Sequence, residues 1–259
     1  MIVCADDFGL SSNVDEAIYE LCALKRLAAV SCLVALERCT AELCQSLRRY
    51  ETNVDLGLHL SLTCEGLEQE PSLRPAARNL STLTCHIIAG RTTDLDLIGG
   101  ISAQYSLFLK KFGRPPDYID GHLHVHQLPL VRRGLVEFIS TLPTTDRPYV
   151  RNTASRTREL VSADLPWTKA GVIGLLGRKM KNLLARAGIP TNSGFFGIYD
   201  FAQWKSFPEY LLRFIDCSSN ANSILVVHPG HNEPWRRQEL KTLREFPALP
   251  DLINRFRQG

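Results

Sequence analysis

The chain has 259 residues, 44% hydrophobic and 22% charged, an ordinary globular balance that excludes wholesale disorder and the collagen and coiled-coil classes. Thirty Lys and Arg against 27 Asp and Glu leave a formal charge of +3, too small and too dispersed for a nucleic-acid surface. The length suits one α/β unit, because β/α barrels reach roughly 250 residues as a single domain.

In chain order, Ile2 to Ala5 reads as a buried strand. Ser12 follows as a helix N-cap with Asp15 three positions on, and Val14, Ala17, Ile18 and Leu21 form the apolar face of that helix. Ala29 to Ala35 reads as a strand, Ala41 to Tyr50 as a helix and Val54 to Leu62 as a strand. Cys64 to Thr93 reads as a long loop. Leu95 to Phe112 has helical period and ends before Pro115 and Pro116. Tyr118 to His126 reads as a strand and Pro129 to Ser140 as a helix. Asn152 to Trp167 is polar and irregular, Val172 to Ala187 is helical, and Ser223 to Val227 is the last strand. Six Lys or Arg between Trp235 and Gly259 alternate with Glu239, Glu245 and Asp251, which reads as a solvated helix face.

Strands alternating with helices predict parallel strands joined by crossovers. The expected fold is α/β: a distorted (β/α) barrel, mostly parallel, with residues 1–259 as a single domain because no repeat or linker interrupts them. Leu21 to Leu36 is too short and too polar to span a bilayer. The start of the chain lacks an export pattern, so a cytoplasmic location is expected. The eight Cys form no CxxC pair and read as reduced, structural thiols.

Four segments carry ionisable groups at strand ends, where β/α folds build their sites. They are Ala5 to Gly9, Gly57 to Leu60, Asp120 to His126 and Val227 to His231, and they hold six of the seven His. On an extended strand Asp120, His122, His124 and His126 share one face. Adjacent Asp6 and Asp7 repel each other when buried, a cost that a cation relieves; the competing reading is a turn or cap ahead of the first helix. His59 alone is an ordinary strand-end His, and His228 to Gly230 alone is turn chemistry. Together, a carboxylate and two or three His suit one divalent cation with open positions. A second carboxylate and another His supply a base and an acid, which is enough to hydrolyse an amide or ester.

At Ala5 to Ser11, Gly57 to His59, Asp120 to His126 and His228 to Gly230 the sequence resembles the YdjC-like carbohydrate deacetylase family, which includes chitooligosaccharide deacetylases and hopanoid-associated sugar deacetylases. Gly188 to Asp200 and Arg236 to Leu243 share the resemblance. It implies a distorted barrel, one divalent metal ion, Zn²⁺ or Mg²⁺, and an N-acetylated amino sugar or glycoconjugate as substrate. By that resemblance Asp7, His59 and His122 are the metal ligands. Asp6 is the general base, His228 the general acid, and Arg151 an Arg that orients Asp6. His124 and His126 lie beside the ligands, where they bind substrate or support the ligands from behind, and Cys4 has no role. Apart from the resemblance, the aromatics from Phe195 to Trp204 are open to use as a homodimer contact or a sugar platform, the competing reading being packing within a lid. Two other readings stand beside this one: a different single-metal barrel hydrolase, acting on a phosphoester or cyclic amide, and a non-catalytic metal- or sugar-binding protein.

Overall fold

The computed structural model describes residues 1–63, 68–70, 73, 75–154, 167–218 and 222–256. Seven strands form one sheet: β1 Ile2–Phe8, β2 Ala29–Cys32, β3 Asp55–Leu60, β4 Tyr118–Gly121, β5 Tyr149–Val150, β6 Gly194–Phe196 and β7 Ser223–Val227. Their order is β5-β4-β3-β2-β1-β7-β6, and every neighbouring pair is parallel. The sheet curls until its edges approach. A parallel bridge joins Val150 to Thr191, and Asn152 and Asn192 exchange side-chain bonds across the gap. The Asn152 N–H donates to Asn192 Oδ1 at 2.7 Å, and Asn192 Nδ2 donates to the Asn152 carbonyl at 2.9 Å. The result is the expected distorted α/β barrel, closed on one side by side chains rather than by a continuous ladder.

The helices are α1 Ser12–Ala23, α2 Ala41–Arg48, α3 Leu80–Ile88, α4 Asp94–Phe112, α5 Pro129–Thr141, α6 Trp167–Ala187, α7 Phe207–Cys217, α8 Pro234–Glu245 and α9 Leu249–Leu252. Strand alternation divides the core in two. Val3, Ala5, Val30, Leu56, Leu58, Leu225 and Val227 pack with the helices. Ile2, Cys4, Ala29, Tyr118, Tyr149, Phe195 and Val226 form a smaller cluster inside the barrel. Gly57 belongs to that inner face, and a Cβ there would overlap the Tyr118 ring. Its missing side chain lets Tyr118 lie across β3 and bond the Ser31 hydroxyl at 2.8 Å.

Four expectations need correction. The α1 cap is Ser11, which accepts the Val14 N–H, while Asp15 accepts the Gly9 N–H at 2.7 Å instead of closing a capping box. The stretch read as a loop from Cys64 to Thr93 contains α3, capped by Asn79. Ser81, Thr82 and Thr84 hide this helix by their weak propensity, and only Leu83 of it is buried. The strand read from Tyr118 to His126 stops at Gly121. His122–Gln127 then forms a 3₁₀ turn with Leu123 and His124 left-handed, at φ 52° and 58°. Lastly, α8 is not wholly solvated, because Arg236 and Glu239 are buried. The irregular stretch from Asn152 to Trp167 lies largely outside the described residues. The seven described Cys are free thiols, and no described helix is long and apolar enough to cross a membrane.

Candidate functional site

The inner face of the barrel changes character along its axis. Below sit Ile2, Cys4, Ala29 and Tyr118. At the carboxyl ends of the strands the same parity brings Asp6, His59 and Asp120 inward, with Arg151 just past β5 and His228 just past β7. His59 and Asp120 are register partners across β3 and β4. Strict alternation would turn Asp7 outward. The β1–β2 register shifts between Ala5 and Phe8, and Asp7 takes φ 73°. This bulge turns Asp7 back toward the mouth, so both adjacent carboxylates face the site. A left-handed, non-glycine residue costs of order 1–3 kcal/mol and persists only where its surroundings demand it.

Asp7 Oδ1 lies 3.6 Å from His59 Nε2 and 3.2 Å from His122 Nδ1. The three donor atoms all fall within 4.8 Å of one another. Tetrahedral ligands about 2.1 Å from one ion stand about 3.4 Å apart, so this donor set fits a divalent cation with little movement. The tautomer fits as well. His59 Nδ1 is 2.6 Å from the Asp120 carboxylate; that contact places a proton on Nδ1 and leaves Nε2, facing Asp7, as the position where a metal would displace a proton. Burial pulls the His59 pKa down, but Asp120, Asp6 and Asp7 outweigh it and hold it above the ordinary value. Arg236 Nη2 occupies the other Asp7 oxygen at 2.8 Å, leaving Oδ1 for a metal.

Asp6 is gripped at both oxygens by Arg151, at 2.7 and 2.8 Å, and Arg151 also meets Asp120 at 2.8 Å. Burial alone would raise Asp6; the Arg151 charge, helped by His59, overcomes it and keeps the carboxylate ionised. His126 is fully buried, and its Nε2–H donates to the Arg151 carbonyl at 2.9 Å. It supports the backbone of Arg151 and does not face the mouth. His124 packs edge-on against Phe195, 5.6 Å between centroids. Burial, then Arg151, brings its pKa down to about 3. His228 is brought down to about 4, chiefly by burial, against the opposing pull of Asp7 and Asp6. Both imidazoles are therefore neutral near pH 7. Of the aromatics, Phe195, Phe196 and Tyr199 are buried. Phe201 is exposed, stacks on Trp235 at 4.1 Å and stands 5.7 Å from His228.

The structure thus gathers Asp6, Asp7, His59, His122, His124, Arg151 and His228 at one mouth and turns His126 behind Arg151. Sequence reasoning gave no role to Ser31, Asp120, Arg236 or Glu239. Ser31 donates to Asp120 at 2.6 Å. The pairing of Asp120 with His59 exists only through sheet register. For Arg236 and Glu239 the available signal was the resemblance at Arg236 to Leu243, which marks the segment without giving either residue's contacts.

The YdjC-like protein family matches residues 1–254. A chitooligosaccharide deacetylase of Proteus mirabilis is 33% identical over 173 residues, 63% of this chain and 66% of that protein. One from Yersinia enterocolitica is 30% identical over 195 residues, 72% of this chain and 75% of that protein. A carbohydrate deacetylase of Homo sapiens is 34% identical over 148 residues, 53% of this chain and 44% of that protein. The chain thus spans between 44% and 75% of the length of these curated relatives. A crystal structure from Enterococcus faecalis V583, of a protein named for cellobiose-phosphate cleavage, aligns with TM-score 0.65 and 20% identity over 97% of this chain and 92% of that one, a likeness of fold. Because the family match runs through every strand that supplies a residue to this mouth, the chain belongs to the YdjC-like family.

Proposed function

We propose that this protein is a metal-dependent hydrolase that removes the N-acetyl group from an amino-sugar-containing substrate and releases acetate. The reading is carried by one observation: three donors, Asp7, His59 and His122, meet around a point beside an ionised Asp6 and a neutral His228. The names of the chitooligosaccharide deacetylases it resembles support the substrate class. A divalent cation held by those donors, Zn²⁺ or Mg²⁺, would polarise the acyl oxygen and make a water more acidic.

The chain's own groups do the rest. Asp6 accepts the proton of the attacking water. Arg151 keeps that carboxylate charged and aimed, and His126 holds the backbone of Arg151. His124 faces the substrate side of the mouth. His228 protonates the departing amine. Since it is neutral at rest, the proton it delivers is the one Asp6 takes from the attacking water, passed on to His228 before the amine departs, so that Asp6 ends the cycle ionised and His228 neutral.

The test is acetate release from N-acetylated mono-, di- and lipid-linked sugars by the metal-loaded chain, run beside a phosphate-release assay. Asp7→Ala is expected to abolish metal uptake, measured by elemental analysis. Asp6→Asn is expected to keep the metal and slow turnover by ~10²–10⁴-fold. Full activity in Asp6→Asn removes the base assignment, and phosphate release without acetate release removes the deacetylase reading.

A further inference from the structure

Helix α8 begins at Pro234, shortly after His228, and returns two buried ionisable side chains to it. Arg236 and Glu239 stand three positions apart on one helix face and are buried, whereas Arg237, Lys241 and Arg244 point to solvent. Glu239 accepts the His228 backbone N–H through Oε2. Its Oε1 accepts the Tyr199 hydroxyl at 2.6 Å. Arg236 Nη1 donates to the His228 carbonyl at 3.3 Å, while its Nη2 holds Asp7. One helix therefore holds the His228 peptide at both its N–H and its C=O. Gly230 makes the approach possible, because a Cβ there would come within 2.9 Å of Arg236 Cδ.

This arrangement does something packing alone does not require. Buried charged groups are costly, and apolar residues of similar size often serve stability as well or better. Among the described residues, no group bonds the buried Nδ1 of His228. Among the described residues, the rings it meets are Phe201, at 5.7 Å, and Trp235, at 5.9 Å, both edge-on. Trp235 is in turn backed by the Arg236 guanidinium, 4.4 Å from its centroid. What holds the ring in place reaches it through its backbone, and through Arg236 that backbone is tied to Asp7.

We propose that Arg236 and Glu239 are positioning residues that clasp the His228 peptide and so hold its imidazole in place relative to Asp6 and Asp7. The kinetic arm of the test rests on the deacetylase reading; the spectroscopic arm does not. The titratable and charged groups around His228 are Asp6 and Asp7 from β1, His124 from the turn after β4, Arg151 from beyond β5, and Arg236 and Glu239 from α8.

The experiment uses the full chain carrying Glu239→Ala, Glu239→Gln or Arg236→Lys, each alone and combined with His228→Ala. Ring ¹⁵N signals of His228 are followed against pH in metal-free protein. Zn²⁺ affinity is measured by calorimetry, and kcat and KM by acetate release from N-acetylglucosamine oligomers. Glu239→Ala is expected to move the His228 titration up toward that of an exposed imidazole, and to lower kcat by ~10–100-fold with KM and Zn²⁺ affinity within about twofold. In the His228→Ala background the same change is expected to cost nothing further. Glu239→Gln, which keeps an acceptor for the N–H, is expected to restore most of the loss. Arg236→Lys keeps the charge but cannot reach both Asp7 and the His228 carbonyl, and is expected to lower kcat more in the presence of His228 than in the His228→Ala background. A His228 titration unmoved by Glu239→Ala overturns the clasp, as does a loss that persists undiminished without His228. If Glu239→Ala does not fold, the Gln and Lys variants decide by the same readouts. If the wild-type chain releases no acetate, the deacetylase reading fails and the clasp is judged on the His228 titration alone.

Discussion

Two guanidiniums divide the labour of two adjacent carboxylates. Arg151 takes both oxygens of Asp6 and keeps it charged without a metal; Arg236 takes one oxygen of Asp7 and leaves the other free. Glu239, in contrast, is a carboxylate whose burial wins. Desolvation raises its pKa to about 7 against the opposing bonds from Tyr199 and the His228 N–H. A carboxyl group raised on folding contributes stability that is fully present below its unfolded pKa of about 4.3 and is lost as pH climbs through the folded value. From pH 5 to pH 8 the wild-type chain is therefore expected to lose, at this residue, stability on the order of 3 kcal/mol. Glu239→Gln cannot ionise and is expected to lack that component. Urea unfolding of both proteins at pH 5 and pH 8 measures it; identical pH dependence in the two would show that Glu239 stays ionised or is solvated.

At the scale of elements, two short irregularities build the mouth: the bulge at Asp7 and the left-handed pair Leu123 and His124. The alternation of Asp120 to His126 is real in the sequence, but no ladder continues to enforce it. The β3–β4 pairing ends at Leu60 and Gly121, and β5 pairs only through Tyr149 and Val150. Freed of partners, the chain turns sharply, sending His122 to Asp7 and His126 back to the Arg151 carbonyl. Leu123 bears left-handed strain with its side chain 44% exposed. Asn tolerates that backbone better. Leu123→Asn is expected to raise stability by about 0.5–1 kcal/mol with Zn²⁺ affinity unchanged. Leu123→Val, β-branched in the same conformation, is expected to lower both stability and Zn²⁺ affinity. Thermal unfolding and calorimetry read the two effects, and a Val variant with wild-type affinity would separate the turn from the placement of His122.

For the whole molecule, the closure between β5 and β6 is the vulnerable side. Asn192 accepts the Asn152 N–H and donates to the carbonyls of Asn152 and Gly194, all buried. Asn192→Ala removes these bonds and leaves buried partners unpaired, each worth about 1–3 kcal/mol when stranded. A loss of about 2–4 kcal/mol is expected. Hydrogen exchange is expected to quicken at residues 150–152 and 191–194 before it does at β1 or β7. Arg151 directly precedes Asn152, so activity is expected to fall with the closure. Uniformly faster exchange across all strands would instead show that the barrel opens as one unit.

The order of elements along the chain and the gathering of ionisable groups at strand ends were legible without any coordinates. Short β-branched runs between helical periods specify parallel strands joined by helices, because buried strands and amphipathic helices have different hydrophobic periods, whereas the curl into a barrel followed from the family resemblance. Carboxylates and imidazoles placed at strand ends mark one mouth because parallel strands all end on the same side. The partners that tune those groups were not legible. Asp120 beside His59, Arg236 on Asp7 and Glu239 beneath His228 are contacts between residues far apart in the chain or set by register, and hydrophobic period carries no record of them. The direction of Asp7 and of His122 to His126 was likewise decided in three dimensions. Period predicts a side chain's direction only while a neighbouring strand holds the backbone extended, and this site is assembled where those neighbours stop.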